Sequence, residues 1–259
     1  MPRALVTGAA KRLGRAMALT LAEEGYDVAV HYNGSTEAAE EVVAEIVALG
    51  RQAVALRADM TQEAEVAPLI GQAAAALGGP LDCLVNNASV FDYDNLASAD
   101  RASWDRHMEV NLRAPFLLTQ LFAAQAPAPV TDGMGEPEAR ALVIQMLDQR
   151  VHKLTPEFMS YTISKMGLWA FTQTAAQALA PAVRVNAIGP GPTLRGARQS
   201  QAHFDAQRAN TVLERGSNPE DICGALRYFL GAKGVTGQLI CTDGGQHLAW
   251  KTPDVQGVE

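Results

Sequence analysis

Short apolar runs alternate along the chain with longer stretches in which apolar positions recur every three or four residues. The runs read as strands over residues 4–7, 27–31, 53–57, 81–86, 141–146, 183–188 and 238–241. The periodic stretches read as helices over 14–24, 36–49, 63–77, 104–125, 158–179 and 219–230, with a looser helical region over 201–213. The strands are almost continuously apolar, as burial on both faces requires. Seven such strands separated by helices predict an α/β protein with a mostly parallel sheet covered on both sides. The stretch 126–138, rich in Pro and Gly, reads as a surface loop. No linker splits the chain and no repeat is visible, so residues 1–259 read as one domain.

Composition narrows the classes. A chain of 259 residues, 48% hydrophobic and 19% charged, can bury a large core and is globular rather than disordered. A net charge of -7 argues against a nucleic-acid surface. Cys83, Cys223 and Cys241 form no CxxC pair and read as packed, reduced thiols. The five histidines show no metal-ligand spacing, so no metal is expected. No run approaches the ~20 apolar residues of a membrane span, and the N-terminus lacks a signal-peptide pattern. The expectation is a cytoplasmic protein whose partner is a small molecule.

Two regions carry chemistry. In the first, Thr7-Gly8-Ala9-Ala10-Lys11-Arg12-Leu13-Gly14 follows the first strand and opens the first helix. Unpaired N–H groups and positive dipole at such a helix start suit a pyrophosphate. Gly8 permits the tight turn and Gly14 close helix–strand packing. Arg12 stands near a common third glycine and reads, with Lys11, as positive charge beside the phosphates. An acid at the end of the second strand would bind ribose hydroxyls and repel a 2′-phosphate. Here the chain reads His31-Tyr32-Asn33-Gly34-Ser35, with no acid. His31, Asn33 and Ser35 can donate hydrogen bonds, so NADP(H) is expected over NAD(H).

In the second region, Tyr161 and Lys165 lie four residues apart on one helical face. A cation beside a phenol favours the phenolate, so the Tyr161 pKa is expected to fall toward working pH. Such a spacing alone is common on surface helices, and its meaning comes from its place after the fifth strand. Asn86-Asn87-Ala88-Ser89 follows the fourth strand, where open α/β sheets bind ligands. Asn111 falls in the helix before the fifth strand, Asp148 directly after that strand, and Pro190-Gly191-Pro192-Thr193 after the sixth.

In order and spacing, residues 7–14, Asp59, Asn86-Asn87-Ala88, Asn111, Tyr161, Lys165 and Pro190-Gly191 resemble the short-chain dehydrogenase/reductase family over nearly the full chain. The resemblance implies a Rossmann-type doubly wound sheet of seven strands in order 3-2-1-4-5-6-7, and a homotetramer. It places Asp59 and Met60 near the adenine, Asn87, Ala88 and Ser89 beside the adenosine, and Tyr161 and Lys165 at the nicotinamide ribose. It implies that Asn111 supports a proton-relay water and that Pro190, Gly191 and Thr193 back the nicotinamide. Within the family, Thr-Gly-Ala-Ala-Lys-Arg-Leu-Gly, His-Tyr-x-x-Ser, Asn-Ala-Ser-x-Phe and an aspartate at 148 resemble the pteridine reductase branch. There Arg12, Ser89, Phe91, Asp148 and Tyr161 would line the pterin site, with Phe91 stacked on the ring. Gly34 departs from that branch, which often carries arginine.

A carboxylate at 148 would repel a developing alkoxide and favour a protonated C=N group. The expected reaction is therefore NADPH-dependent reduction of a dihydropterin or dihydrofolate. The alternatives are a short-chain carbonyl reductase or alcohol dehydrogenase, and a nucleotide-binding regulatory protein without turnover. Asp148 could also be a capping carboxylate, and Phe91 an ordinary wall residue.

Overall fold

In a computed structural model, residues 1–196 and 198–252 are described; position 197 and the end of the expected 1–259 domain lie outside the described residues. The strands are β1 (Arg3–Val6), β2 (Asp27–Tyr32), β3 (Ala53–Arg57), β4 (Cys83–Asn86), β5 (Val130–Thr131), β6 (Pro137–Glu138), β7 (Ala141–Met146), β8 (Val183–Pro190) and β9 (Leu239–Thr242). The helices are α1 (Arg12–Glu23), α2 (Thr36–Ala48), α3 (Glu63–Val66), α4 (Leu69–Ala76), α5 (Arg101–Met108), α6 (Ala114–Gln125), α7 (Met159–Leu179), α8 (Gln201–Ala209) and α9 (Pro219–Gly231). Seven strands form one parallel sheet in the order β3-β2-β1-β4-β7-β8-β9. This is a Rossmann-like α/β fold with helices on both faces. The expected order differs only in numbering, because β5 and β6 form a short antiparallel hairpin inside the stretch read as a loop. That hairpin turns on Asp132, whose carboxylate accepts the amides of Met134 and Glu136 at 2.8 and 2.9 Å.

Successive strand residues point to opposite faces, and the apolar runs use this to build two cores. Ala4, Val6, Val28 and Val30 pack with Met17 and Leu21 of α1, Ile46 of α2 and Phe229 of α9. On the other face Leu5, Leu84, Val143 and Val185 pack with Leu69 of α4 and Leu118 and Phe122 of α6. Phe122 and Phe229 are fully buried, and each contributes roughly 1.5–3 kcal/mol of apolar burial.

Prolines account for two departures from the expected helices. The segment read as one helix over 63–77 breaks into α3 and α4 at Pro68, which has no N–H to continue the ladder and crowds the carbonyl four residues back. The helix expected over 104–125 starts earlier, at Arg101, because the Asp100 carboxylate caps it by accepting the Ser103 amide at 2.8 Å. It then widens into a π turn over Glu109–Arg113. Pro115 supplies no N–H to the carbonyl of Asn111, four residues before it, so the regular α ladder fails there. The region read as helical to 213 stops at Ala209, beyond which the Thr211 hydroxyl accepts the Arg215 amide at 3.1 Å.

Candidate active site

The carboxyl ends of β1, β4, β7 and β8 open on one cleft of about 1510 Å³. The chain builds the sheet outward in both directions from the β1–β4 boundary, the position where open α/β sheets leave a crevice.

The glycine turn is clamped from three sides. The Thr7 hydroxyl accepts the amides of Asn87 and Ala88, both at 2.9 Å. Asn87 Nδ2 donates to the carbonyls of Thr7 at 2.8 Å and Gly8 at 3.2 Å. Gly8 has a φ of +62°, and a Cβ on Gly14 would lie 2.1 Å from the Gly8 carbonyl oxygen. The turn therefore requires both glycines and leaves the start of α1 facing the cleft, with Lys11 and Leu13 on its wall.

Arg12 differs from expectation. It adopts a left-handed φ of +55°, and its guanidinium donates to the carbonyls of Leu194 at 3.0 Å and Arg195 at 3.1 Å. It lines the cleft, but its planar fork ties the glycine turn to the loop after β8 rather than standing free for phosphates. His31 is also differently employed. Gly8 N–H donates to its Nδ1 at 3.0 Å, and its Nε2 reaches the Ala58 carbonyl at 3.0 Å. The tautomer is thus the Nε2–H form, with neither nitrogen free to donate into the cleft. Burial pushes its pKa down to about 4, against the pull of the Ala58 carbonyl. Tyr32 packs on the core and Ser35 precedes α2; neither lines the cleft, whereas Asn33, Asp59 and Met60 do. The amide and hydroxyl of Thr61 hold the Asp59 carboxyl below its usual range.

At the other end, α7 places Tyr161 and Lys165 on one buried face, 6% and 2% exposed. Lys165 Nζ donates to the Met146 carbonyl at 2.8 Å and lies 5.7 Å from the Tyr161 ring centre. Asp148 follows β7 and caps a short 3₁₀ turn over Gln149–Val151 by accepting the Arg150 amide on Oδ1 at 2.8 Å. Its second oxygen, Oδ2, accepts the Tyr161 hydroxyl at 3.0 Å. Asp148 is therefore both a cap and a partner of the phenol.

Burial and this pairing run against the expected downward shift of the Tyr161 pKa. Burial, then the charge and hydrogen bond of Asp148, raise the Tyr161 pKa well above its ordinary value; only Arg150 pulls it the other way. Burial lowers the Lys165 pKa to about 8, while Asp148 opposes that shift. The phenol is a neutral donor across the neutral pH range.

Asn111, in the π turn, spends its side chain on neighbouring elements. Nδ2 donates to the Val90 carbonyl at 3.0 Å and to Ser164 Oγ at 3.1 Å. Its Oδ1 accepts Ser89 Oγ at 3.0 Å and the Val90 amide at 2.9 Å. It thus fixes the loop after β4 against α7. Pro190, Gly191 and Thr193 border the cleft; the Thr193 hydroxyl bonds to Ser217 Oγ at 3.0 Å, and a Cβ on Gly191 would lie 2.6 Å from Asp243 Cβ.

Three residues that sequence reasoning passed over also wall the cleft: Phe158, Arg150 and Arg198. Phe91 stacks on Phe158 at 4.3 Å and 12°, and meets the edge of Tyr161 at 4.6 Å. Phe158 precedes α7 with a φ of +57°, held by its amide donating to the Asp94 carbonyl at 2.7 Å. No sequence pattern marks a left-handed phenylalanine. Arg198 lies on the loop after β8, where periodicity gives no signal.

A family model described as short chain dehydrogenase matches residues 2–205. The 3-oxoacyl-[acyl-carrier-protein] reductase FabG of Staphylococcus epidermidis is 33% identical over 251 residues, covering 95% of this chain and 98% of the relative. Among solved structures, FolM alternative dihydrofolate reductase 1 from Brucella canis, complexed with NADP, matches with a TM-score of 0.90 and 42% identity, covering 98% of this chain and 97% of its own. A short chain dehydrogenase from Burkholderia cenocepacia, in complex with NADP, matches at 0.85 and 31%, with 95% and 97% covered.

The His31 geometry has a measurable consequence. The unfolded chain binds a proton at His31 near pH 6.5, the folded chain only near pH 4. The group's contribution to stability is therefore complete above about pH 6.5 and is lost progressively as pH falls toward 4, by roughly 3 kcal/mol in all. Urea unfolding at pH 7, 5.5 and 4.5 should show a smaller acid loss for His31→Gln than for the natural protein. An equal pH dependence in both would remove His31 from this role.

Proposed function

The chain belongs to the short-chain dehydrogenase family, and from that premise we propose that it is an NADPH-dependent reductase of a dihydropterin-type C=N bond, dihydrofolate included. The observation that carries the reading is the 3.0 Å hydrogen bond from the buried Tyr161 hydroxyl to Asp148.

The cofactor fits what the cleft offers. The glycine cradle brings backbone close and admits no Cβ at Gly14, the start of α1 is open, and residues 31–35 carry no acid. Gly8, Lys11, Leu13 and Gly14 would hold the phosphates, Asn33, Asp59 and Met60 the adenosine end, and Asn87, Ala88, Lys165, Pro190, Gly191 and Thr193 the nicotinamide half. The NADP in the Brucella and Burkholderia relatives supports this choice. When bound, NADPH supplies the hydride.

The residues supply the proton. Reducing C=N adds a hydride to carbon and a proton to nitrogen. Tyr161 keeps its proton at neutral pH and holds it against Asp148, so the pair is an acid in reach of a ring nitrogen. The carboxylate stabilises the nitrogen as it becomes cationic. Lys165, its pKa lowered by burial to about 8, places charge beside the Tyr161 ring. The Asn111 carbonyl, denied an α-helical donor by Pro115, is suited to hold a relay water. Ser89 and Phe91 complete the substrate wall, and Arg12 fixes the loop above it. The Brucella relative's description as an alternative dihydrofolate reductase supports the substrate class.

The second reading, ketone reduction, draws support from the 3-oxoacyl reductase relative. It requires an alkoxide to develop beside Asp148, which is unfavourable. We further propose a cytoplasmic homotetramer. Trp104, Phe116, Ile163 and Met166, on α5, α6 and α7, are between 36% and 42% exposed and offer an apolar face for it.

Two measurements bear on this reading. Asp148→Ser should lower dihydropterin turnover by ~10²-fold or more while keeping or raising turnover of a simple ketone. Tyr161→Phe should abolish turnover with NADPH affinity retained. Equal loss on both substrates in Asp148→Ser would reduce Asp148 to a support for Tyr161, and unchanged dihydropterin turnover would favour the ketone reading. Sedimentation at micromolar concentration should give a tetramer; a monomer would refute the assembly.

A further inference from the structure

Resting on the pterin reading, we propose that the outer wall of the cleft is a subsite for a carboxylate-bearing substrate tail, gripped by Arg150 and Arg198. The substrate class is then the folate type, with a glutamyl tail, rather than a pterin with an uncharged side chain.

The aromatic pair Phe91–Phe158 meets the edge of Tyr161 and is flanked by cations. Arg150 lies 5.3 Å from the Phe158 ring centre. Arg198 lies 5.6 Å from Phe91 and 5.8 Å from Phe158. A flat ring packed beside Tyr161 and Phe91 would therefore project its tail toward two guanidinium groups. These groups are poorly neutralised. Asp92 is shared between Arg106 at 3.1 Å and Arg198 at 3.6 Å, one carboxylate for two cations, and Arg198 Nη2 donates to the neutral Phe91 carbonyl. Among the described residues Arg150 makes no ion pair: one Nη donates to the Thr155 hydroxyl and the Glu157 carbonyl, and its buried Nε has no partner. Lys153 adds a further cation on the same wall, and among the described residues its one hydrogen bond is to the Gln246 carbonyl at 3.4 Å. Arg106, Arg150, Lys153 and Arg198 stand here against Asp92 and Glu157, a local excess of positive charge in a chain of net charge -7.

The chemistry selects the ligand. Guanidinium presents paired donors that match a carboxylate, and such charge-assisted bonds exceed neutral ones. Stacking on Phe91 and Phe158 limits the rotamers of both arginines, so less freedom is lost when an anion binds. A hydroxylated tail offers no charge to these groups.

The test separates tail from ring. With NADPH-loaded protein, p-aminobenzoylglutamate should bind about tenfold more tightly than its uncharged diamide, and the gap should close in high salt. The gap should also close in Arg198→Gln and in Arg150→Gln. In steady state, Arg198→Gln should raise KM for dihydrofolate about tenfold with little change in kcat, while KM for dihydrobiopterin stays within about twofold. Equal binding of fragment and diamide, or equal KM effects on both substrates, would overturn the subsite and leave the pterin reading standing. Failure to reduce either dihydropterin or dihydrofolate, with a ketone reduced, would overturn that reading and the subsite together.

Discussion

A buried phenol donates its proton in a hydrogen bond to a carboxylate, and the surrounding architecture serves that contact. Tyr161 is 6% exposed, so a charged phenolate meets a desolvation cost that the nearby Arg150 charge only partly opposes. Asp148 adds to that cost and at the same time accepts the hydroxyl. The contact needs β7 to end where Asp148 can cap the next turn, and α7 to begin close enough to bring Tyr161 across to it. Lys165 locks the two elements by donating from α7 to Met146, the last residue of β7. Asn111 locks α7 to the loop after β4 through Ser164 and Val90.

The opposite end of the cleft depends on backbone fit. Gly14 sits against Gly8 with no room for a methyl group, and Asn87, following the neighbouring β4, closes the contact by bonding to Thr7. His31 completes the clamp from β2, giving up the freedom to meet a ligand. Arg12 links this end to the loop after β8 at the expense of a left-handed backbone, a strain of about 1–2 kcal/mol. Rigid walls at both ends hold the geometry before any ligand arrives.

Much of this was legible in the sequence, for reasons that differ by residue. The seven strands stand out because burial on both faces demands unbroken apolar runs, and Tyr161 and Lys165 because four residues is one helical turn. Gly8 and Gly14 follow from the turn they make. The π turn at Asn111 can be traced to Pro115 four residues on, although nothing in the sequence says that the helix widens rather than stops. The direction of the Tyr161 shift was not legible, since a cation four residues away argues for one sign and burial beside a carboxylate for the other. The neutral, inward role of His31 depends on how deeply β2 is buried, and the Phe158 and Arg198 contacts on loop conformations with no periodic trace. The hairpin over 130–138 was hidden because strands of two residues leave no pattern.

Tyr161 is a neutral acid held by Asp148, and an alkaline titration of its phenol reads this out. The ultraviolet difference between the natural protein and Tyr161→Phe isolates this one phenol. No tyrosinate signal from Tyr161 is expected at or below the ordinary tyrosine pKa of about 10, and its onset should shift clearly downward in Asp148→Asn. Ionisation of Tyr161 below pH 9 in the natural protein would contradict it.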